Sequence, residues 1–128
     1  MKLLLDTNIL LWLAADILPQ SAEEHVLDES NDLYFSPASI WEIVIKHGMN
    51  RPDFEVDPAL LYNGLIDNGY EQLFITSRHV LLTGTTPPIH KDPFDRLLLA
   101  QSAAEGFSLL TSDSIMAKYP APVILVEK

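Results

Sequence analysis

At 128 residues the chain holds enough sequence for one hydrophobic core and too little for two comfortable ones. It contains no cysteine, which rules out disulfides, thiolate metal sites and a cysteine nucleophile, and suits a reducing compartment. Eight Lys and Arg against eighteen Asp and Glu leave a net charge of −10, so the general positive field that normally drives phosphate binding is missing. Contact with nucleic acid must then rely on bound cations and a few local bases, or the acidic surface serves a basic partner protein.

Apolar runs alternate with helical patterns from end to end, the mark of βα units and a parallel sheet. Lys2 to Leu5 predicts a buried strand and Thr7 to Ala15 a helix. The opening Met1-Lys2-Leu3-Leu4-Leu5 is similar to the front of a signal peptide, but Asp6 and Asn8 break the apolar region too early. No stretch approaches the roughly 20 apolar residues of a membrane span, so a soluble, cytoplasmic protein is expected. A second helix begins at Pro19-Gln20-Ser21 and runs to Glu29; Leu33 to Phe35 is a short strand, and Ser36-Pro37 starts the helix Ala38 to His47.

Gly48 to Asp57 reads as a loop, Pro58 to Asn68 as a helix closed by Gly69, and Gln72 to Ile75 as a strand. Ser77 to Leu82 is a short helix capped by Ser77, and Thr83 to Lys91, carrying Gly84, Pro87 and Pro88, is an exposed loop. Asp92 to Glu105 is a helix ended by Gly106, followed by the strand Phe107 to Leu110. A one-turn helix around Ser114 to Tyr119 and a last strand, Val123 to Val126, complete the pattern. With no repeat, linker or low-complexity tract, residues 1–128 read as a single α/β domain.

Carboxylates stand where such a chain has least structural reason to place them. Asp6 ends the first apolar run, Glu42 interrupts the apolar stretch Ile40 to Ile45, Asp95 opens a Leu-rich helix, and Asp113 follows Leu109-Leu110-Thr111-Ser112. Embedded carboxylates are costly unless paired or bound to a cation. In open α/β sheets ligands bind outside the carboxyl ends of the strands, which is where Asp6 and Asp113 fall. Two carboxylates about 4 Å apart repel by roughly 4 kcal/mol at an effective dielectric near 20. Divalent cations remove that conflict, and oxygen-only ligands favour Mg²⁺ or Mn²⁺ over zinc.

Each acid also has a local explanation. Asp6 caps the first helix, Asp113 caps the turn that begins at Ser114, and Glu42 pairs with Lys46 along an exposed stripe. The apolar flanks of Glu42 weigh against that last alternative, since they require the helix to be covered on most sides. Asp92-Pro93-Phe94-Asp95 has the form of an N-cap followed by proline at the first helical position, which explains Asp92 without a metal.

Taken together, Leu4-Leu5-Asp6-Thr7-Asn8, the segment Ser39 to Lys46, the run His90 to Gln101 and Leu110-Thr111-Ser112-Asp113 resemble the PIN-domain family. More narrowly they are similar to VapC-type toxins of bacterial type II toxin–antitoxin systems. The resemblance spans almost the whole chain with its motifs in order. It implies a three-layer α/β/α sandwich around a parallel sheet and a ribonuclease dependent on one or two Mg²⁺ or Mn²⁺ ions, with Asp6, Glu42, Asp95 and Asp113 as the acidic, metal-holding site. Thr7 and Asn8 match polar positions after the first acid; Ser39, Thr111 and Ser112 match positions that orient carboxylates, water or phosphate. Lys46 and Arg96 are family-typical and either contact substrate or tether acids. The glycine-rich turn usual after the Glu-bearing helix departs here to His47-Gly48-Met49-Asn50-Arg51.

The resemblance further implies an RNA substrate, a homodimer and a cognate antitoxin that lays a partly helical tail across the toxin. Independently, Ile9 to Leu13 are apolar on every face, so the first helix is either buried in the monomer or part of an interface, with Trp12 and Trp41 unassigned between the two. No Gly-rich phosphate loop, zinc-spaced histidine pair or Gly-x-Ser-x-Gly elbow is present. The rival from another class is a catalytically silent PIN-like module that docks a basic partner; a nuclease of the same fold directed at DNA is a third possibility.

Overall fold

The computed structural model describes residues 1–49, 56–85, 87 and 91–127. At its centre lies β1 (Lys2–Leu5), a strand with apolar residues at consecutive positions because both of its faces are covered. It pairs in parallel with β2 (Asp32–Phe35) on one side and β4 (Ser108–Thr111) on the other, Leu4 lying opposite Tyr34 and Leu109. The edges are β3 (Glu71–Gln72) and β5 (Val123–Leu125), giving the parallel order β3-β2-β1-β4-β5. The chain leaves β1 toward one edge and returns to the other side of it at β4. The crevice between the carboxyl ends of β1 and β4 is therefore the topological switch point.

Alternation along β1 divides the core. Leu3 and Leu5, with Phe35 and Leu110, pack against α1 (Thr7–Ala14), α2 (Gln20–Val26), α3 (Pro37–Gly48) and α4 (Pro58–Asp67) through Ile9, Leu10, Ala22, Ile43, Leu61 and Leu65. Leu4 and Leu109 face the other way, against Leu98 and Leu99 of α6 (Pro93–Glu105), Phe107, and Met116 and Tyr119 at a single 3₁₀ turn, Met116–Lys118. The short helix α5 (Ser77–Thr83) rests on α6. This is the three-layer α/β/α sandwich around a parallel sheet that the motifs implied.

The helix punctuation follows the sequence closely. Asp92 accepts from the Phe94 and Asp95 amides at 2.8 and 3.2 Å, Pro93 takes the first helical position of α6, and Gly106 ends it with φ +71°, a left-handed conformation that glycine adopts without a Cβ penalty. Asp57 caps α4 in the same manner. No helix of the described residues is long and apolar enough to cross a membrane.

Four expectations are corrected. The strand expected over Gln72 to Ile75 is confined to Glu71–Gln72, because its partner β2 stops at Phe35 and leaves Phe74 and Ile75 with nothing to pair against. The cap of α5 is Thr76 rather than Ser77: its hydroxyl accepts from the His79 amide while the His79 ring accepts from the Thr76 amide, a reciprocal capping box. The second helix ends at Val26 rather than Glu29, and Leu27 beyond it is exposed. Finally, α3 is not covered on most sides, for Trp41, Val44 and Ile45 are exposed and Trp41 keeps 61% of its surface open. Its contacts with α1, α4 and α6 leave these three side chains exposed. The loop expected at Gly48 to Asp57 and much of Thr83 to Lys91 lie outside the described residues.

Candidate active site

Asp6 follows the last residue of β1, and its amide continues the ladder by donating to the Leu110 carbonyl at 2.9 Å. The side chain is almost wholly buried, 3% exposed. It holds three roles at once. Its Oδ1 accepts from the Thr7 amide at 2.7 Å and so caps α1; its Oδ2 accepts from the Thr111 hydroxyl at 2.6 Å; and its charge lies in the field of two further acids. Burial pushes the Asp6 carboxyl up from 3.8 to about 6, the Thr111 hydroxyl and the Thr7 amide pull against that shift, and the Glu42 and Asp113 charges add to it.

Thr111 is the last residue of β4, fully buried, and its hydroxyl also accepts from the Asp113 amide at 3.0 Å. One side chain therefore joins the two acids at the strand ends. Asp113 accepts from the Ile115 amide at 2.8 Å, so it caps the turn as its local explanation held while standing close enough to act on Asp6. Ser112, between them, is half-buried.

Glu42 arrives from α3. Ser36 caps that helix and Pro37 occupies its first position, which sets the phase that points Ser39 and Glu42 inward. Thr7 donates to the Ser39 hydroxyl at 2.9 Å, binding the start of α1 to α3 one turn before Glu42. Glu42 is 5% exposed, and Lys46, one turn later, reaches its Oε2 at 2.8 Å. The ion pair seen as a local explanation is thus present, yet the carboxylate is buried rather than on an exposed stripe. Lys46 is ion-paired with an acid, and Glu42 Oε1 is buried without a hydrogen-bond partner.

Asp95 stands in the first turn of α6, its amide held by Asp92. The Trp41 and Phe94 rings meet edge to face at 5.2 Å, and each adjoins one of the acids Glu42 and Asp95, so the turns carrying them are packed together. Arg96 Nη2 donates to the Thr83 carbonyl and ties α6 to the end of α5. Asn8 is exposed at the start of α1. Of the unassigned tryptophans, Trp12 packs half-buried against the core beside the fully buried Ile9 and Leu10, whereas Trp41 lies at the surface.

The structure thus places Glu42 and Asp113 where their charges act on Asp6 at the switch point, and packs the helix turn bearing Asp95 against that bearing Glu42. Among the described residues no three His, Asp or Glu side chains are gathered tightly enough to hold a metal ion. The donor chemistry nevertheless fits a hard cation, since the ligands available are carboxylate oxygens and one of them, Glu42 Oε1, is buried and unsatisfied. Away from the acids, a groove of about 900 Å³ runs between the ends of α1 and α2, β2 and α4, lined largely by leucine and valine.

A comparison with curated proteins found no significant sequence match. Solved structures do match in fold. VapBC2 from Rickettsia felis, solved bound to a promoter DNA fragment, is 18% identical with a TM-score of 0.70, covering 99% of this chain and 98% of that one. A DNA-bound VapBC from Salmonella typhimurium is 16% identical with a TM-score of 0.67, and VapBC-5 from Mycobacterium tuberculosis, of a family of toxin–antitoxin systems, is 14% identical with a TM-score of 0.64; both again cover 99% and 98%. The PIN domain family model matches residues 3–122, from β1 through the turn before β5. On that match the chain belongs to the PIN domain family.

Proposed function

We propose that this protein is a Mg²⁺- or Mn²⁺-dependent endoribonuclease that acts as the VapC-type toxin of a type II toxin–antitoxin pair. The observation that carries this reading is Asp6: a buried carboxylate at the switch point, held by two hydrogen bonds and lying in the field of Glu42 and Asp113. A purely structural Asp at that place has no need of two acidic neighbours. Asp6, Glu42, Asp95 and Asp113 would hold one or two ions, which when bound supply an activated water and stabilise charge on the phosphate undergoing hydrolysis.

The chain's own residues account for how the acids are presented. Thr111 and the Thr7 amide fix both oxygens of Asp6, the Thr7 to Ser39 bond aligns α1 with α3, and Thr111 positions the Asp113 backbone. Preorganisation of this kind lowers the reorganisation needed when substrate binds. In a chain of net charge −10, ions held by these acids also offer the phosphate a positive contact that the surface lacks.

The antitoxin and a second copy of the chain are part of the proposal. The leucine- and valine-lined groove between α1, α2 and α4 has the apolar lining that an amphipathic antitoxin helix would fill, and the uncovered side of α3 bearing Trp41, Val44 and Ile45 suits self-association. The rival reading, a silent module docking a basic partner, draws on the net charge and on the absence, among the described residues, of three acids gathered as a metal group.

The test is incubation of the purified protein with total RNA, with and without Mg²⁺ or Mn²⁺, beside a single-stranded DNA competitor. Cation-dependent cleavage abolished by Asp6→Asn is expected; cleavage that persists without divalent ions or in Asp6→Asn would falsify the reading. A rise in melting temperature at millimolar Mg²⁺, absent in Asp6→Asn, is expected alongside it.

A further inference from the structure

We infer that Lys46 is a built-in counter-ion of the acidic site: its ammonium occupies Glu42 Oε2 and competes with the divalent cation for that carboxylate. This rests on the cation-dependent reading above and goes beyond it by giving Lys46 a role in setting how tightly the site takes its ion. The geometry is specific. Glu42 is buried on α3 among apolar neighbours, and an unpaired charge there would be strongly destabilising. Lys46 sits one helical turn later, with Nζ 2.8 Å from Oε2 and its side chain 34% exposed. It lies against the Glu42 carboxylate while retaining a route to water for its own head group.

The pair is incomplete in one respect. Glu42 Oε1 is buried and has no hydrogen-bond partner, so Lys46 cancels the charge without satisfying the carboxylate. A lysine present solely to stabilise the fold has no reason to leave that oxygen open. A divalent ion held by Glu42 would meet the ammonium across a single carboxylate and be repelled by it. Lys46 must then withdraw toward solvent, which its partial exposure permits. The consequence is a site that is stable without its ion and binds it less tightly than the acids alone would allow.

A tether and a competitor predict opposite signs. If Lys46 merely orients Glu42, its removal disorganises a ligand and weakens cation binding; if it competes, its removal tightens binding. The experiment measures Mn²⁺ affinity by calorimetry and by electron paramagnetic resonance, together with melting temperature, for the wild-type protein and for Lys46→Met, Lys46→Gln and Lys46→Arg. Lys46→Gln retains a hydrogen-bond donor toward Glu42 without the charge and serves where Lys46→Met does not fold. Expected are a lower melting temperature without Mn²⁺ and an affinity tightened by roughly ten-fold in Met or Gln, the modest size reflecting a partly exposed lysine, with Arg close to wild type. Unchanged or weaker affinity in the neutral variants, or equal tightening in Arg, overturns the role of Lys46 while wild-type binding leaves the cation reading standing. Absence of Mn²⁺ binding by the wild-type protein overturns both.

Discussion

Thr111 and Asp6 are separated by 105 positions in the chain and joined by a hydrogen bond of 2.6 Å. The same threonine oxygen accepts from the Asp113 amide at 3.0 Å, so the hydroxyl sits between two acids contributed by neighbouring strands. It donates to one and accepts from the other's backbone; the Asp113 amide is two residues away in the chain, whereas Asp6 comes within reach only because β1 and β4 are adjacent.

Replacing Thr111 by valine keeps the shape and removes both bonds. Asp6 Oδ2 then loses its donor in a buried setting, and the loss of a hydrogen bond to a charged group is expected to cost about 2 kcal/mol. Thr111→Ser retains the hydroxyl and loses only a methyl group, so it should cost less, about 1 kcal/mol. Urea unfolding of the metal-free protein checks both. Equal losses in the two variants would remove the hydroxyl from the explanation.

Asp6 carries a pH signature. Its carboxyl titrates near 6 when folded against 3.8 in the reference state, so between those values the native state binds more protons than the unfolded one. Stability of the metal-free protein therefore falls as pH rises through this window, with the penalty absent below 3.8 and complete above 6. Asp6→Asn is expected to be the more stable protein above pH 6, by up to about 3 kcal/mol, and to lose that advantage near pH 4. Denaturant midpoints across pH 4 to 8 measure it; a constant difference between the two proteins contradicts the assignment.

Asp92 is explained as the cap of α6 and not as a member of the acidic site. Asp92→Ala should cost about 1 kcal/mol of stability, while cation-dependent RNA cleavage per folded molecule persists. A loss of cleavage comparable to that of Asp6→Asn would move Asp92 into the site.

His79 holds α5 to α6 from a buried position, its Nδ1 accepting from the Thr76 amide and its Nε2 lying 3.0 Å from Glu105 Oε1. His79→Ala removes the capping box together with the packing of a buried ring, and a loss of about 3 kcal/mol is expected. Glu105→Gln alters only a partly exposed partner and should cost less than about 1 kcal/mol. Amide exchange at α5 distinguishes local from global loss.

Much of this molecule was legible from local pattern. The span of β1 matched residue for residue, and the cap of α6 and the glycine ending it reflect interactions within a few positions of one another. Edges were harder to read: β3 is short because β2 ends at Phe35, and no property of Leu73 to Ile75 encodes where a partner strand stops. The Thr76 to His79 capping box was hidden because histidine rarely closes one, although the Thr-x-x-His spacing contains it. The exposure of Trp41 was equally hidden, since hydropathy reports a preference for burial and not whether a neighbouring element exists to supply it.

The sequence by itself determined which carboxylates stand at strand ends and in helix first turns, and the family whose motifs they form, because those features depend on periodicity and capping over a few residues. Only the tertiary structure decided that β1 and β4 are neighbours, that Thr111 therefore joins Asp6 to Asp113, and that Glu42 is a buried acid paired with Lys46 on one oxygen and unsatisfied on the other. The physical reason is that burial and long-range pairing belong to the arrangement of elements: a carboxylate's environment is set by residues from other strands and helices, which its sequence neighbours do not specify.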